Sequence, residues 1–270
     1  MPELPEVETT RRGIEPHLVG HRVTRLAVHE PRLRWPIPEA VRSLENATVA
    51  SVTRRAKYLL VTVPAGSALF HLGMSGSLRL CTDGAARRKH DHVEMTLSSG
   101  GILRFHDPRR FGCLLWQPTG DGVHPLLARL GPEPLSDEFD GEILFRAARG
   151  RRIAIKTLIM NAAVVVGVGN IYASEALFAA GVRPGRAAAR VTRAESGRIA
   201  QAIKTVLARS IEMGGTTLRD FVDSDGEPGY FAQSLAVYGR AGEPCGVCAS
   251  PVRQRVLAQR STFWCPTCQR

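Results

Sequence analysis

The sequence predicts an α+β protein of two domains, a β-sandwich with a leading helix and then a helical domain that ends in a four-cysteine hairpin. Three observations favour this fold class. Residues 23–116 are mostly short segments of alternating apolar and polar residues, residues 141–213 show helical periodicity, and two Cys-x-x-Cys pairs follow. These changes of pattern predict an N-terminal domain at 1–130, a linker at 131–140, a helical domain at 141–235 and a cysteine module at 236–270.

The leading helix is predicted from the run Met1-Pro2-Glu3-Leu4-Pro5-Glu6-Val7-Glu8. Pro5 suits the first position of a helix and acids suit its first turn, so we expect the helix to begin at Pro5. Removal of Met1 would expose the secondary amine of Pro2, and an α-amino group is far less protonated at neutral pH than a lysine. The positive end of the helix dipole lowers the pKa of this amine, whereas the nearby Glu3 and Glu6 raise it. Two interpretations of this segment therefore stay open: Pro2 is a nucleophile, or the segment is an ordinary leader whose acids cap a helix.

The strands and helices follow from periodicity, and Pro, Gly, Ser and Asp separate the strands. Predicted strands include Val23–Val28, Tyr58–Val63 and His92–Leu97. Two prolines at 132 and 134 break the pattern at the domain boundary. Predicted helices cover Ile143–Arg149, Ile153–Met160, Ile171–Ala180 and Arg193–Met213.

Composition indicates a globular protein with an anionic partner. Of 270 residues, 44% are hydrophobic and 23% charged, and no apolar run approaches the roughly 18 residues that span a bilayer. The acidic start differs from a secretory signal, so we expect a cytoplasmic protein. The net charge of +11 favours nucleic acid, an anionic membrane surface or a phosphorylated ligand. Arginine supplies most of this charge, which suits phosphate contacts but would also follow from an arginine-rich genome.

The four cysteines of the C-terminal module have the spacing of a zinc ribbon. The two pairs, Cys245 with Cys248 and Cys265 with Cys268, predict a tetrahedral Zn²⁺ site on a β-hairpin, and two disulfides are the alternative. The module keeps a charge of about +2 once four thiolates and the ion are counted. Arg260 would lie near the hairpin tip, as a phosphate contact or as a solvated turn residue.

Two further clusters suit nucleic acid. A glycine-rich turn at 165–169 leads into Asn170, which is typical of an anion site at a helix N-terminus, and basic residues that include Arg151 and Lys156 precede it. Arg109 beside Phe111, in the run 106–112, is a pair that can enter a base stack. Taken singly, Phe111 and Met74 also suit a core, and His71 suits a structural histidine.

Together these motifs resemble those of the bacterial formamidopyrimidine-DNA glycosylase family. The resemblance is collinear over essentially the whole chain and rests on runs at 2–8, 54–58, 71–76, 107–112 and 167–172 and on the four cysteines. It implies a bifunctional enzyme of base excision repair that removes 8-oxoguanine and formamidopyrimidines from duplex DNA and then cleaves the strand by β,δ-elimination. It also implies a helix-two-turn-helix around Asn170, one structural zinc ion, a monomer, and a loop at 217–230 that covers the damaged base.

The resemblance assigns roles to particular residues. Pro2 would be the nucleophile at the sugar C1′ and Glu3 the general acid, while Lys57 and Arg260 would donate protons in β- and δ-elimination. Other residues would contact DNA. Met74, Arg109 and Phe111 would fill the gap left by the everted nucleotide, and His71, His90, Arg151, Asn170 and Arg260 would contact phosphates or other parts of the DNA.

Two alternatives remain at this stage. A sister endonuclease that removes oxidised pyrimidines shares Pro2 and Glu3 but typically has glycine at position 4, where this chain has Leu4. A non-enzymatic zinc-ribbon DNA binder would keep the fold without the chemistry, and the presence of all four implied catalytic residues argues against it. One departure from the family is Asn161-Ala162, where many relatives have an acid followed by an amide, and it leaves the turn before Gly167 less certain.

Overall fold

The computed structural model describes residues 2–82, 84–215 and 235–270. Two of the predicted features, the trimming of Met1 and the loop at 217–230, lie outside the described residues. The chain divides into two compact units, Met1–Ala128 with Met213–Ala232 and Arg129–Glu212 with Gln233–Arg270. No helix among the described residues has the length and apolar character to cross a bilayer.

Helix α1, Leu4–Leu18, opens the first unit one residue earlier than predicted. The reason is a capping box. The Glu3 backbone N–H donates to the Glu6 carboxylate at 2.7 Å, and the Glu3 side chain accepts from the Glu6 backbone N–H. Pro5 therefore occupies the second helical position, where its missing N–H is equally harmless.

The first unit also contains two four-stranded antiparallel sheets among its described residues, which confirms the predicted β-sandwich. The strands are β1 Val23–Val28, β2 Ser51–Arg55, β3 Tyr58–Val63, β4 Gly66–His71, β5 Ser77–Cys81, β6 Asp91–Leu97, β7 Ile102–His106 and β8 Cys113–Pro118. One sheet has the order β1-β6-β7-β5 and the other β2-β3-β4-β8. Phe70 of β4 meets Phe105 of β7 edge to face at 5.7 Å, so the core lies between the sheets.

Val23–Val28 and Tyr58–Val63 have the predicted bounds. The nearly continuous apolar run of β3 predicted a more fully apolar strand, but in the structure only every second side chain of β3 is buried. Two short elements were not predicted, a 3₁₀ helix at Glu39–Leu44 and α2 at Pro125–Ala128. Each is too short to show a helical period.

The second unit contains four further helices and the cysteine hairpin among its described residues. They are α3 Gly141–Ala148, α4 Ile155–Ile159, α5 Asn170–Ala179, α6 Arg193–Glu212, a 3₁₀ turn Ala188–Arg190, and strands β9 Arg253–Leu257 and β10 Arg260–Trp264. The predicted helix at Ile153–Met160 is shorter in the structure because Ala154 is extended and pairs with Ala187. In α6 the predicted apolar stripe is buried, including Ile199 and Ile203.

Gln269 joins the cysteine hairpin to the helices of the same unit. Its side chain is 1% exposed, accepts from the Cys265 backbone N–H at 2.9 Å and donates to the Val182 carbonyl at 2.9 Å. Two hydrogen bonds satisfy this buried amide on both sides. The hairpin therefore packs as part of the second unit.

Candidate active site and zinc centre

Pro2 and Glu3 lie at the N-terminal end of α1 and are both buried. The capping box fixes their backbone, because the Glu6 carboxylate holds the Glu3 N–H. Gly215 also packs against Glu6: a Cβ on this glycine would lie 3.3 Å from the Glu6 side chain, and its φ is +83°. The nucleophile and the general acid implied by the resemblance are thus adjacent residues on a rigid helix start.

Lys57 lies in the two-residue turn between β2 and β3. Ala56, the other turn residue, has φ of 54°, which is uncommon outside glycine. Arg54 ties this turn to α1: its guanidinium donates to the Glu8 carboxylate at 3.0 Å and to the Ala56 carbonyl at 3.0 Å. The turn that carries Lys57 is therefore anchored to the helix that carries Pro2 and Glu3.

His71 is held as a neutral imidazole. Burial, with the positive charges of Lys57 and Arg34, lowers its pKa to about 4. Its Nδ1 accepts from the Gly73 backbone N–H at 3.0 Å, so the proton resides on Nε2. The ring packs against Tyr58 at 4.9 Å. His71 can thus donate one hydrogen bond from Nε2 without carrying a charge.

We expect the His71 imidazole to titrate with a midpoint near pH 4 in the folded protein. Its ordinary pKa is about 6.5, so the unfolded chain binds more protons between these values. The stability that this group contributes is therefore complete above about pH 6.5 and is lost as the pH falls towards 4. NMR of the ring Cε1–H across pH 3 to 8, with the urea-unfolded chain as control, would measure this. A folded-state midpoint near the unfolded value would contradict it.

The turn at residues 107–112 projects Arg109 and Phe111 from the sandwich. The Arg109 guanidinium lies 4.9 Å from the centre of the Phe111 ring, and Phe111 is 46% exposed. The core alternative for Phe111 is therefore wrong, while Met74 is half-buried. A cavity of about 560 Å³ adjoins this turn and residues 71–74. It is lined by Arg34, His71, Gly73, Met74, Arg110 and Phe111. An exposed arginine over an aromatic ring has the form of a side-chain wedge for DNA.

In the second unit, Asn170 and Lys156 converge on the hairpin. Asn170 is the first residue of α5, and its Nδ2 donates to the Ser261 carbonyl at 3.0 Å. The Lys156 ammonium, in a residue only 1% exposed, donates to the same carbonyl and to Thr262 Oγ1, both at 3.0 Å. The sequence indicated Lys156 only as added charge. Its place among apolar residues of a helix is only a weak signal of burial.

Arg260 is exposed at the hairpin tip. It follows a two-residue turn in which Ala258 and Gln259 both have positive φ, 46° and 60°, as in a type I′ turn. The bonds to Ser261 fix the backbone directly after it. Arg151 is also exposed, and its carbonyl accepts from the Ala189 N–H at 2.9 Å.

Glu175 is a further buried residue that the sequence did not single out. Its carboxylate accepts from the backbone N–H groups of Ala236, Val237 and Tyr238 at 2.7 to 3.0 Å. Burial raises its pKa even though these three bonds oppose the shift. Glu175 anchors the chain where it enters the cysteine module.

The four cysteines are arranged for one zinc ion. Their sulfur atoms all lie within 4.8 Å of one another, with Sγ–Sγ distances of 4.0 Å for Cys245–Cys268 and 3.4 Å for Cys248–Cys265. Regular tetrahedral coordination at a Zn–S length of about 2.3 Å places sulfurs about 3.8 Å apart, between these two values. All six described cysteines are free thiols, so the disulfide alternative is wrong. The predicted zinc site is confirmed.

The turn before Gly167, which the departure at Asn161-Ala162 left uncertain, is regular. The Asn161 side chain accepts from the Ala163 N–H at 3.0 Å, and the Asn161 backbone carbonyl accepts from the Val164 N–H at 2.8 Å.

The candidate residues are divided between the two units. The first unit contains Pro2, Glu3, Lys57, His71, Met74, His90, Arg109 and Phe111, and the second contains Arg151, Asn170, Arg260 and the four cysteines.

Three sequence-family models match the chain. They are the formamidopyrimidine-DNA glycosylase N-terminal domain over residues 1–114, the formamidopyrimidine-DNA glycosylase H2TH domain over residues 130–222, and the zinc finger found in FPG and IleRS over residues 242–270. The second match confirms the predicted helix-two-turn-helix, and the third agrees with the zinc ribbon.

Relatives match over the full length. The formamidopyrimidine-DNA glycosylase of Thioalkalivibrio sulfidiphilus is 61% identical over 271 residues, and that of Alcanivorax borkumensis 57% over 270, each covering 100% of both chains. Among solved structures, the MutM (Fpg) protein from Thermus thermophilus is similar with a TM-score of 0.89 and 41% identity, covering 99% of this chain and 98% of that one. A Lactococcus lactis Fpg in complex with abasic-site DNA has a TM-score of 0.92 and 32% identity, with full coverage of both chains.

Proposed function

The chain belongs to the formamidopyrimidine-DNA glycosylase family, and on that premise we propose that it excises oxidised purines and then cleaves the DNA strand. It is a DNA glycosylase of base excision repair. The observation that carries the proposed chemistry is the helix start, where Pro2 and Glu3 are adjacent, buried and fixed by Glu6.

The chemistry follows from a secondary amine. The lone pair of the Pro2 nitrogen attacks C1′ as the damaged base leaves with the bonding pair, and the proton that the amine loses goes to the departing base. Glu3 protonates the sugar ring oxygen as the ring opens and the C1′–nitrogen double bond forms. The resulting iminium withdraws electrons, so loss of a C2′ proton expels the 3′ phosphate in β-elimination. A second elimination expels the 5′ phosphate. Lys57 and Arg260 are the proposed proton donors of these two steps.

The candidate DNA contacts support the same proposal. A base must leave the stack before its sugar can be attacked, and wedge side chains with phosphate contacts lower that cost. Met74, Arg109 and Phe111 form the proposed wedge, in the first unit. The proposed phosphate contacts, in both units, are His71, His90, Arg151, Asn170 and Arg260. One structural zinc ion holds the hairpin that carries Arg260. We further propose that the protein acts as a monomer in the bacterial cytoplasm.

Borohydride trapping tests the proposed chemistry. On a duplex with 8-oxoguanine opposite cytosine, we expect a covalent protein–DNA complex, with mass spectrometry locating the adduct on Pro2, because borohydride reduces the iminium irreversibly. The undamaged duplex is the control. A complex formed only on an oxidised pyrimidine would favour the sister endonuclease, and no complex on either duplex, with Met1 absent, would favour a binder.

A further inference from the structure

Asp107 is a fully buried residue, 0% exposed, that the sequence indicates only as the start of a turn. Its backbone N–H donates to the His90 carbonyl at 3.0 Å. Its own carbonyl accepts from the Arg110 N–H at 3.2 Å and from His92 Nε2 at 2.8 Å. Three hydrogen bonds thus connect the backbone of Asp107 to His90, His92 and Arg110.

The Asp107 carboxylate links two turns, residues 72–76 (the Met74 turn) and residues 107–112 (the Phe111 turn). Oδ1 accepts from the Ser75 hydroxyl at 3.2 Å, and Oδ2 accepts from the Gly112 backbone N–H at 2.7 Å. Ser75 is the residue after Met74, and Gly112 the residue after Phe111. One side chain thus holds both parts of the proposed wedge.

The two turns also touch along their backbones. A Cβ on Gly73, whose φ is +66°, would lie 2.4 Å from the Gly112 nitrogen and 2.5 Å from the Phe111 carbonyl carbon. A Cβ on Gly112 would lie 2.6 Å from the His71 oxygen and 3.0 Å from Asp107 Oδ2. No side chain fits between the turns, so their backbones pack directly on each other, and the Asp107 carboxylate adds a hydrogen bond to each turn.

We propose that Asp107 is a positioning residue for eversion of the damaged nucleotide, because it holds the Met74 turn, the Phe111 turn and His90 in one rigid arrangement. This rests on the proposed function, which makes these segments the DNA wedge and a phosphate contact. A wedge must enter the stack as the base leaves, and a misplacement of about 1 Å can cost roughly 100-fold in rate. Chemistry after eversion depends on Pro2 and Glu3, which Asp107 does not hold.

The test is Asp107→Ala, compared on two substrates. Alanine has no side-chain acceptor, so the bonds to Ser75 and to the Gly112 N–H are both lost. We expect single-turnover excision of 8-oxoguanine opposite cytosine to slow about tenfold or more. Strand cleavage at a preformed abasic site in the same duplex should stay within about threefold, because no base has to be unstacked.

Two further variants control for folding. Ser75→Ala removes one of the two carboxylate bonds and should give a smaller loss of the same kind, confined to excision. It replaces Asp107→Ala as the test if that variant does not fold. Glu94→Gln weakens the Glu94–Arg104 pair, 2.7 Å apart on neighbouring strands of the same sandwich, and should affect both substrates alike. Equal losses on both substrates for the Asp107 and Ser75 variants, or no loss, would overturn the positioning role. A wild-type protein inactive on both would instead overturn the proposed function, and the role with it.

Discussion

Replacing Pro2 with glycine is expected to slow base excision at least about 100-fold, the lower end of what a positioned catalytic group contributes, and to leave duplex binding unchanged. Excision depends on attack at C1′, for which the primary amine of glycine is a weaker nucleophile than the secondary amine of proline. Glycine also lacks the ring that restricts the backbone, so its amine is held less firmly in the attacking geometry. Single-turnover excision of 8-oxoguanine, with binding measured by fluorescence anisotropy, separates the two effects.

The matched control is Pro5→Ala. Pro5 is buried in the same N-terminal segment, within the first turn of α1, but has no proposed chemical role. Alanine keeps the helix, so excision by this variant should remain close to the wild-type rate. An unchanged rate in Pro2→Gly, with intact mass showing that Met1 is absent, would remove Pro2 from the mechanism.

Much of the fold could be predicted because its signals are local. Alternation predicts the bounds of β1, a nearly continuous apolar run predicts those of β3, and the cysteine spacing alone predicts the zinc centre. One error in the helix bounds comes from a contact distant in sequence, because Ala154 pairs with Ala187 and shortens α4. The other is local, since the capping box of Glu3 and Glu6 extends α1 by one residue.

The same distinction applies to the candidate site. The sequence motifs and the family resemblance propose residues such as Pro2, Glu3 and Arg260, whose roles stay predictions. Lys156, Glu175 and Asp107 could not be recognised in this way, because their roles depend on burial and on hydrogen bonds to groups far along the chain, such as Ser261 for Lys156. A charged residue within an apolar helical face gives only a weak sequence signal, since it is equally compatible with an exposed side chain.

Removal of the zinc ion is expected to weaken duplex binding about 10- to 100-fold. This is the effect of losing one charged hydrogen bond, here the proposed contact of Arg260 with phosphate, which contributes about 1.5–3 kcal/mol. Cys245 and Cys265 belong to the small core of the module, which also includes Val237 and Phe263. Without the metal, neighbouring thiolates repel, and zinc binding is itself the folding free energy of such modules. The unfolded hairpin no longer holds Arg260 in place.

Chelator-treated protein and Cys265→Ser should both show this weaker binding by fluorescence anisotropy, whereas Cys81→Ser, which alters a free thiol of the sandwich, should bind like the wild type. The salt dependence adds a sharper readout. The slope of log K against log salt concentration should become shallower by about 0.9 for each phosphate that the hairpin no longer neutralises. Undiminished binding and an unchanged slope in metal-free protein would separate the zinc centre from DNA recognition. A weaker affinity with an unchanged slope would mean that the hairpin contributes shape and does not neutralise phosphates.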